Sequence, residues 1–383
     1  MSHKIARRAA VEAFRAMDVL ASANALEAQG RDILHLEVGQ PAAAPPPAVL
    51  EAAQACLKRG RIGYTDALGT PALRQAIARH YQEVYGLSVD PGRIAVTAGS
   101  SGGFLLALLA AFDAGERIAL AAPGYPAYKN LALALGLEPV FLPTTAATRF
   151  QPTAAQIEAY PEHLDGLIVA SPSNPTGTML EPQALADLAE ACRARGIRLI
   201  SDEIYHGITF GQAVASLAEA PDVIVANSFS KYYCMAGWRL GWLVLPEDLV
   251  RPVERLAQSL FISASELSQA AGLAAMDARA ALDRVVAGYA ENRSLLIQGL
   301  PKLGLTGFLP SDGAFYLYLD VSHLTNDSSQ LCDSLLQENG VALTPGLDFD
   351  PFEGKRSLRL SFAGSQATMQ AALDRLGDWL RKR

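Results

Sequence analysis

Short hydrophobic runs recur between residues 90 and 245, and most of them are followed by a helix-length segment or a loop. Runs of this length, bounded by turn residues, indicate buried β-strands. Strands that alternate with helical segments are typical of a mostly parallel sheet covered by helices on both faces. The sequence therefore predicts an α/β fold with a seven-stranded, mostly parallel sheet. Its strands are predicted at Ile94–Thr97, Arg117–Ala121, Pro139–Leu142, Gly166–Ala170, Ile197–Ser201, Val223–Ala226 and Leu240–Leu245.

The segments on either side of this region have a different pattern. Residues 5–29 are predicted to be helical, Ile33–Val38 to be a short strand, and residues 245–300 to be helical. Strands predicted at Ala314–Leu319 and Ser357–Phe362 alternate with further helices, as in an α+β unit. The C-terminal part is therefore expected to form a second, smaller domain.

This organisation divides the chain into three parts. Residues 1–40 are expected to be an N-terminal segment that packs with the smaller domain. Residues 41–285 are expected to form the large domain that holds the parallel sheet. Residues 286–383 are expected to form the small C-terminal α+β domain.

Composition narrows the class of protein. The chain has 383 residues, of which 50% are hydrophobic and 19% charged, so there is enough apolar material for large cores. Its net charge of −7 argues against binding to the phosphate backbone of nucleic acid. The four cysteines form no C-x-x-C pair and no zinc-ligand spacing with histidine, so free thiols in a reducing compartment are expected. No secretory signal or membrane-spanning run is recognisable, which favours a cytoplasmic protein with no membrane partner.

Polar residues follow directly after several predicted strands, at the edge of an open α/β sheet where ligands bind. The turn Gly99–Gly103 follows the first strand, contains Ser100 and Ser101, and opens an apolar helix. Its N–H groups and hydroxyls can bind an anion, with help from the helix dipole. An ordinary turn before a helix is the alternative interpretation.

The ends of later strands supply groups that suit a flat, cationic ring. Tyr125 is followed by a proline and can stack on a planar ligand. Asn174 lies in a turn made rigid by two prolines. Asp202 ends a buried strand, where a carboxylate is costly unless it is paired with a cation. Each residue also has a simpler interpretation. Tyr125 would be a packing residue, Asn174 would hydrogen-bond its own turn, and Asp202 would form a salt bridge or cap a helix.

A candidate nucleophile follows the sixth predicted strand. Lys231 comes after Ser228 and Ser230 in surroundings of low charge, so burial is expected to lower its pKa and free its amine for a Schiff base. Arg239 follows and can bind a phosphate. The alternative for Lys231 is a surface lysine whose stem packs on the protein. A phosphate site, a stacking ring, a carboxylate for a ring cation and a nucleophilic lysine are together what pyridoxal 5′-phosphate requires.

These motifs resemble those of the class I/II aminotransferases, the aspartate-aminotransferase-like enzymes with the type I pyridoxal-phosphate fold. The resemblance covers nearly the whole chain, from about Arg15 to the C-terminus. It implies that the large domain binds pyridoxal 5′-phosphate. The motifs that carry it are Ser228–Trp242 and Ser173–Gly177, supported by Val38–Pro41, Tyr64–Arg74, Asp202–Tyr205 and Leu358–Ala363.

The resemblance implies a role for each residue around the cofactor ring. Lys231 would attach the cofactor covalently and act as the general base at the substrate Cα. Asp202 would pair with the pyridinium nitrogen, and Tyr205 and Asn174 would hydrogen-bond the 3′-oxygen. Tyr125 would stack on the ring. The catalytic set implied in this way is Lys231, Asp202 and Tyr205.

The same resemblance implies how the phosphate and the substrate are bound. The phosphate would be held by Ser100, Ser101, Ser228, Ser230 and Arg239. Tyr64 would reach the phosphate of the other subunit in a homodimer with shared active sites. Arg359 would bind the substrate α-carboxylate, helped by Asn174 and the backbone of Gly39.

The implied reaction moves the α-amino group of an L-amino acid to a 2-oxo acid, either 2-oxoglutarate or pyruvate, by a ping-pong mechanism. A carbon–sulfur β-lyase of the same fold shares every cofactor motif and stays open as an alternative. A non-catalytic pyridoxal-phosphate-binding regulator is a further alternative, which would need an additional DNA-binding module. A dicarboxylic substrate would need a second cation, for which Arg61, Lys129 and Arg356 are candidates.

Overall fold

The computed structural model describes residues 3–382. Its strands are β1 (Leu34–His35), β2 (Ile94–Thr97), β3 (Arg117–Ala122), β4 (Glu138–Pro143), β5 (Gly166–Ala170), β6 (Arg198–Asp202), β7 (Ile224–Ser228), β8 (Gly241–Val244), β9 (Tyr316–Asp320), β10 (Val341–Ala342), β11 (Thr344–Pro345) and β12 (Ser357–Ser361). Its α-helices are α1 (Arg15–Glu27), α2 (Pro47–Lys58), α3 (Pro71–Tyr85), α4 (Gly99–Ala111), α5 (Pro126–Leu135), α6 (Ala154–Ala159), α7 (Pro182–Ala194), α8 (Glu247–Leu260), α9 (Glu266–Met276), α10 (Arg279–Gly299), α11 (Ser328–Asn339) and α12 (Gln366–Leu380).

The central sheet has the strand order β2-β8-β7-β6-β5-β3-β4. The five strands β7, β6, β5, β3 and β4 run parallel to one another, and β8 is antiparallel to both β7 and β2. Each strand falls on a predicted hydrophobic run, with ends that differ by at most two residues. The prediction of a seven-stranded, mostly parallel sheet is therefore confirmed.

Helices cover both faces of this sheet. Successive residues of a strand point to opposite faces, and β7 shows the result. Val225 packs into the core on the side of α3 and α7, whereas Ile224 and Ala226 pack into the core on the side of α4 and α8. Burial on both faces explains why the strands of this sheet are continuous hydrophobic runs in the sequence.

Local sequence signals explain where several helices begin. Proline is the first residue of α2, α3, α5 and α7, where its missing N–H has no intrahelical partner to lose. Asp327 and Ser365 cap α11 and α12 with side chains that accept hydrogen bonds from the first turn. In contrast, α4 begins at Gly99 with no side-chain cap, and this helix starts at the functional site described below.

The C-terminal part forms a smaller unit around an antiparallel sheet of order β11-β12-β9. The N-terminal segment joins it, because β1 pairs in parallel with β10 and the Leu36 carbonyl accepts a hydrogen bond from the Ser361 N–H at 2.8 Å. The predicted boundary at residue 285 lies inside α10. The division into 1–40, 41–285 and 286–383 stays a prediction.

Two elements near the N-terminus are shorter than their patterns indicate. Of the helix predicted over residues 5–29, the structure has α1 and a short 3₁₀ turn at Arg7–Ala9. The residues between them are held out of the helix because the Glu12 carboxylate pairs with Lys129 at 2.5 Å and the Glu12 carbonyl accepts from Asn130 at 3.1 Å. Tertiary contacts here outweigh local helix propensity. The strand predicted over Ile33–Val38 pairs only along β1.

Two further observations bear on the class of protein. Within residues 3–382, the structure contains no helix that is long and apolar enough to cross a membrane. The cysteines are all free and buried, as the sequence predicts: Cys56, Cys192, Cys234 and Cys332.

Candidate active site

A cavity of about 340 Å³ opens at the carboxyl ends of β5, β6 and β7. Its walls come from the loops that follow these strands, from the segment around the start of α1, and from β9 and β12 of the smaller unit. Ligand sites of open α/β sheets lie at this edge. The predicted site residues that line it are Gly39, Ser100, Ser101, Tyr125, Asn174, Asp202, Tyr205, Ser230, Lys231, Arg239 and Arg359.

Asp202 is the last residue of β6, and its carboxylate is buried in the cavity wall at 2% exposure. Tyr128 donates a hydrogen bond to Oδ2, and the Ile204 N–H donates one to Oδ1 at 3.1 Å. Burial raises the pKa of Asp202 to about 6, while these two hydrogen bonds oppose the rise. Both partners are neutral, so the negative charge is available to a cationic ligand atom.

Tyr128 is a site residue that sequence reasoning missed. It lies in the first turn of α5, three residues after Tyr125, and the centres of the two rings are 5.3 Å apart in an edge-on arrangement. Its buried hydroxyl finds its acceptor in Asp202. The signal in the sequence is the spacing of two tyrosines by about one helical turn, which does not reveal the acceptor.

Lys231 lies in the loop after β7, and its Nζ donates a hydrogen bond to the Gly39 carbonyl at 2.6 Å. Burial lowers the pKa of Lys231 to about 8, and the positive charges of Arg359 and Arg239 act in the same direction. The Nζ atom lies 5.7 Å from the centre of the Tyr205 ring. An amine with this pKa is partly neutral near pH 7, so it can act as a nucleophile or a base.

The start of α4 has the features of an anion-binding helix end. The N–H groups of its first turn have no intrahelical partner and no side-chain cap. Gly99 has a φ of +72°, and a Cβ at this position would lie 2.5 Å from the Arg239 guanidinium. Ser100 and Ser101 belong to the same turn and line the cavity. This glycine therefore lets Arg239 lie against the start of the helix.

Ser228 and Ser230 interact directly with each other. The Ser228 hydroxyl donates to the Ser230 hydroxyl at 2.9 Å, and the Ser230 N–H donates to the Ser228 hydroxyl at 3.0 Å. Ser230 lines the cavity, whereas Ser228 lies behind it as the last residue of β7. The direct role predicted for Ser228 in phosphate binding stays a prediction.

Arg359 enters the cavity from β12 with 2% of its surface exposed. Its Nη1 donates to Asn174 Oδ1 at 2.8 Å, and its Nη2 donates to the Glu37 carbonyl and to the Thr344 hydroxyl. The buried Nε has no hydrogen-bond partner among residues 3–382. Because all these acceptors are neutral, the guanidinium can pair with an anionic ligand.

Tyr125 and Tyr205 also line the cavity, each beside an aromatic residue that sequence reasoning missed. Burial raises the pKa of Tyr125 to about 12, so its hydroxyl stays protonated near neutral pH. The ring of Phe14 stands edge-on to that of Tyr125, with centres 5.9 Å apart. The hydroxyl of Tyr205 lies 2.8 Å from that of Tyr316. Phe14 and Tyr316 come from distant segments, and no local pattern places them here.

Tyr64 lies outside the cavity of its own chain. It is 82% exposed in the loop between α2 and α3. Other large apolar side chains are exposed on α2, on the same loop, at the end of α8 and just after it: Leu50, Leu57, Ile62, Leu260 and Ile262. Exposed apolar clusters of this kind are typical of protein interfaces. The role predicted for Tyr64 therefore requires a second subunit.

The candidates for a second substrate-binding cation do not line the cavity. Lys129 pairs with Glu12, Arg356 pairs with Glu353, and Arg61 also lies outside the lining. Among residues 3–382, the lysine and arginine side chains that line the cavity are Lys231, Arg239 and Arg359.

Comparison with known proteins assigns the family. The family model described as aminotransferase class I and II matches residues 31–376. The chain belongs to the class I and II aminotransferases. The valine–pyruvate aminotransferase of Mycobacterium tuberculosis is 47% identical to this aminotransferase over 385 residues, which cover 99% of each chain.

Solved structures of other aminotransferases share the fold. A crystal structure of an aminotransferase from Mycobacterium tuberculosis matches with a TM-score of 0.97 and 46% identity over 100% of both chains. The aspartate aminotransferase from Thermus thermophilus, solved with maleate, matches with a TM-score of 0.92 and 30% identity over 98% of this chain and 100% of that one. The fold class and the family predicted from the sequence are therefore confirmed.

Class I and II aminotransferases use pyridoxal 5′-phosphate, and the residues of this aminotransferase fit that cofactor. Asp202 offers the pyridinium nitrogen a buried carboxylate with neutral partners. Lys231 offers the aldehyde an amine with a lowered pKa. The uncapped start of α4 beside Arg239 offers the phosphate N–H groups and a positive charge.

Proposed function

We propose that this aminotransferase moves the α-amino group of an apolar, monocarboxylic L-amino acid to pyruvate by a ping-pong mechanism. This proposal rests on the positively charged side chains that line the cavity. Lys231, Arg239 and Arg359 are needed for the cofactor and the α-carboxylate, and the described residues add no further lysine or arginine to the lining. A side-chain carboxylate would thus be buried without a cation, which is unfavourable. Phe14 and Met17 instead offer an apolar wall.

The relatives support the same substrate class. The Mycobacterium tuberculosis protein that is 47% identical is named for valine, an apolar amino acid, and for pyruvate. Pyruvate carries a methyl group where 2-oxoglutarate carries a second carboxylate. Because the cavity supplies no cation for that carboxylate, the proposal takes pyruvate rather than 2-oxoglutarate as the acceptor.

The residues around the cofactor ring are proposed to act as follows. Lys231 would hold the cofactor covalently through Nζ, and as a free amine this atom would take the proton from the substrate Cα. The bound cofactor supplies an electron-accepting ring that stabilises negative charge at that carbon. Asp202, oriented by Tyr128, keeps the ring nitrogen protonated. Tyr205 and Asn174 donate hydrogen bonds to the 3′-oxygen.

The remaining predicted residues are proposed to bind the two ends of the reacting complex. The phosphate group would be held at the start of α4 by Ser100, Ser101, Ser228, Ser230 and Arg239. Tyr125 would stack on the ring. Arg359 binds the α-carboxylate together with Asn174 and the Gly39 backbone, and its unpartnered Nε and neutral neighbours support this role.

A homodimer with shared sites is also proposed, in which Tyr64 of each subunit binds the partner's phosphate. The exposed apolar residues around Tyr64 support an interface at this face. The loop before Tyr64 is anchored, because Glu266 accepts from the Gly63 N–H at 2.7 Å and pairs with Arg59 at 3.1 Å. A fixed loop can present an exposed tyrosine to a neighbour at little entropic cost.

The proposal extends to domains and location. A large cofactor-binding domain at 41–285 and a small domain at 286–383, with 1–40 packed on it, are supported by the pairing of β1 with β10. A cytoplasmic location is supported by the free, buried cysteines, since exported proteins usually pair theirs.

An amino-donor panel tests the substrate class. The purified holoenzyme is mixed with valine, alanine, aspartate or glutamate, and the loss of the visible absorbance of the bound cofactor is followed. We expect kcat/KM of the half-reaction to be about a hundredfold higher for the apolar donors, because aspartate and glutamate must bury an unpaired charge. Pyruvate should restore the absorbance faster than 2-oxoglutarate does. The variant Lys231→Ala should be inert with every donor.

Two outcomes would reject this function. Faster half-reactions with aspartate or glutamate would mean that a second cation enters the site, for example from the partner subunit. Release of pyruvate, ammonia and thiol from cystathionine, at a rate well above transamination, would make the protein a carbon–sulfur β-lyase. In both cases the bound cofactor would still be observed.

A further inference from the structure

We propose that Tyr316 is a positioning residue for both ends of this active site. Its hydroxyl aims the Tyr205 hydroxyl at the cofactor, and its ring holds the Arg359 guanidinium ready for the substrate carboxylate. The inference rests on the roles proposed above for Tyr205 and Arg359. Tyr316 is the first residue of β9, is buried, and lines the cavity.

The first contact of Tyr316 determines where the proton of the Tyr205 hydroxyl points. Its hydroxyl oxygen lies 2.8 Å from that of Tyr205, and since each group has one proton, one donates and the other accepts. Burial raises the pKa of Tyr316, and the Arg359 guanidinium opposes that rise. The guanidinium acts on the pKa of Tyr205 in the same direction, but it lies directly over the Tyr316 ring, 4.5 Å from its centre, so Tyr316 is assigned as the donor. Tyr205 then accepts this hydrogen bond and directs its own proton into the cavity.

The second contact of Tyr316 fixes the plane of the guanidinium. The Arg359 carbon Cζ lies 4.5 Å from the centre of the Tyr316 ring and 4.7 Å from that of the Phe349 ring. Cations are attracted to aromatic ring faces at this distance. The Nη atoms are meanwhile hydrogen-bonded to neutral acceptors. The two rings and these hydrogen bonds together preorganise a charged group that has no carboxylate partner of its own.

The third contact of Tyr316 explains why residue 39 is a glycine. A Cβ on Gly39 would lie 1.7 Å from the Tyr316 hydroxyl oxygen. The carbonyl of the same glycine accepts the hydrogen bond from Lys231 Nζ at 2.6 Å. One side chain therefore lies against Tyr205, against Arg359 and against the glycine whose carbonyl accepts from the amine.

Deletion of two phenol hydroxyls tests the first contact. Holoenzymes with Tyr316→Phe, Tyr205→Phe and both changes are titrated with pH, and the visible absorbance of the bound cofactor is recorded. Each single change should raise the titration midpoint, because a donor at the 3′-oxygen favours the deprotonated chromophore. We expect a shift on the order of half a pH unit for Tyr316→Phe and a larger one for Tyr205→Phe. The double variant should match Tyr205→Phe, because Tyr316 acts through Tyr205.

A matched control and a ring deletion complete the test. Tyr318→Phe removes another buried hydroxyl from β9, two residues further on and outside the cavity lining, and should leave the midpoint unchanged. Tyr316→Leu removes the ring over Arg359. It should weaken the binding of 2-methylalanine, a carboxylate that cannot lose a Cα proton, roughly three- to tenfold. Tyr316→Phe keeps the ring and should keep this affinity.

The outcomes separate the inference from the function on which it rests. An unchanged midpoint in Tyr316→Phe, or shifts that add in the double variant, would overturn the role of the hydroxyl. Equal affinity for 2-methylalanine in Tyr316→Leu would overturn the role of the ring. Loss of cofactor in Tyr316→Phe but not in Tyr205→Phe would make Tyr316 merely structural. Failure of the proposed function would instead appear in the wild-type protein, as no cofactor adduct on Lys231 after borohydride reduction.

Discussion

The active site holds two almost fully buried charged side chains, Asp202 and Arg359, that have no ion-pair partner among the described residues. Asp202 accepts hydrogen bonds from a tyrosine and a backbone N–H, and Arg359 donates to neutral oxygens. Lys231 donates to a backbone carbonyl. Burial of unpaired charges is unfavourable for folding, so such groups are concentrated where a ligand compensates them. At the residue scale, the cavity has the charges that pyridoxal phosphate and a carboxylate substrate would neutralise.

The lowered pKa of Lys231 gives the attachment of the cofactor a defined pH dependence. The neutral amine attacks the aldehyde, so the attachment rate follows the deprotonated fraction of Lys231. With a pKa of about 8, the deprotonated fraction rises through pH 8 and then levels off. The deprotonated fraction of a lysine with the ordinary pKa of 10.5 would still be rising at pH 10. Apoenzyme mixed with pyridoxal 5′-phosphate should show a rate midpoint near pH 8 by absorbance.

Two variants check the cause of this pH dependence. Lys231→Ala should show no covalent phase at any pH. Arg359→Met removes one of the positive charges that disfavour the ammonium form, so it should move the rate midpoint to higher pH. A rate midpoint close to pH 10 in the wild-type protein would show that Lys231 is exposed to solvent and has an ordinary pKa.

At the scale of elements, α4 is specialised at its start. Many helices of this protein begin with proline or a capping side chain, whereas α4 begins with a glycine in the left-handed region and no side-chain cap. Only a residue without Cβ takes that conformation easily and also admits Arg239 at close range. The helix start is thereby kept open for an anion.

Gly99→Ala should therefore weaken cofactor binding. A methyl group at this position would both strain the backbone and push against the Arg239 guanidinium, which lies 2.5 Å from the Cβ site. We expect the Kd of the apoenzyme for pyridoxal 5′-phosphate to rise at least about tenfold, measured by absorbance titration.

Gly86→Ala is the matched control for Gly99→Ala. Gly86 has the same φ of +72° at the end of α3, but no atom lies within 4 Å of its Cβ site. It should lose about 1 kcal/mol of unfolding free energy from backbone strain and keep its affinity for the cofactor. If both variants bound the cofactor as tightly as the wild type does, the close approach of Arg239 to Gly99 would not contribute to cofactor binding.

The sequence predicts elements well where one local signal determines them. The sheet strands are hydrophobic runs bounded by turns, and the residues after them reach the cavity because parallel strands end at one edge. Contacts between distant residues leave no such signal. Tyr128 meets Asp202 across 74 positions, Tyr316 meets Tyr205 across 111, and Glu12 meets Lys129 across 117. Such long-range contacts explain why Tyr128 and Tyr316 were not predicted from the sequence and why the N-terminal helix was predicted too long.

At the scale of the whole molecule, the active site is built from separate parts of the chain. Asp202 ends a strand of the large sheet and Lys231 follows another, whereas Tyr316 and Arg359 come from the smaller unit. Tyr64 belongs to none of these walls, because it lies exposed on the outside of its own chain. If Tyr64 binds the cofactor phosphate, one chain is not a complete enzyme. A two-fold interface would then complete both sites at once.

Subunit complementation tests this shared construction. Lys231→Ala and Tyr64→Ala are each expected to be weak or inactive alone. In a hybrid dimer, one site carries both lesions and the other carries neither, because Lys231 and Tyr64 of one site come from different subunits. After statistical exchange, half of the dimers are hybrids with one intact site, so about a quarter of the wild-type activity should appear.

The matched control mixes Lys231→Ala with Asp202→Ala. These two residues line the same cavity of one chain, so every hybrid site keeps one lesion and no activity should return. The dimer mass and the fraction of hybrids are measured in both mixtures by native mass spectrometry. If hybrids form and the Tyr64 mixture stays as inactive as the control, Tyr64 does not complete the partner's site. An active monomer at the assay concentration would lead to the same conclusion, because each chain would then bind its own cofactor phosphate unaided.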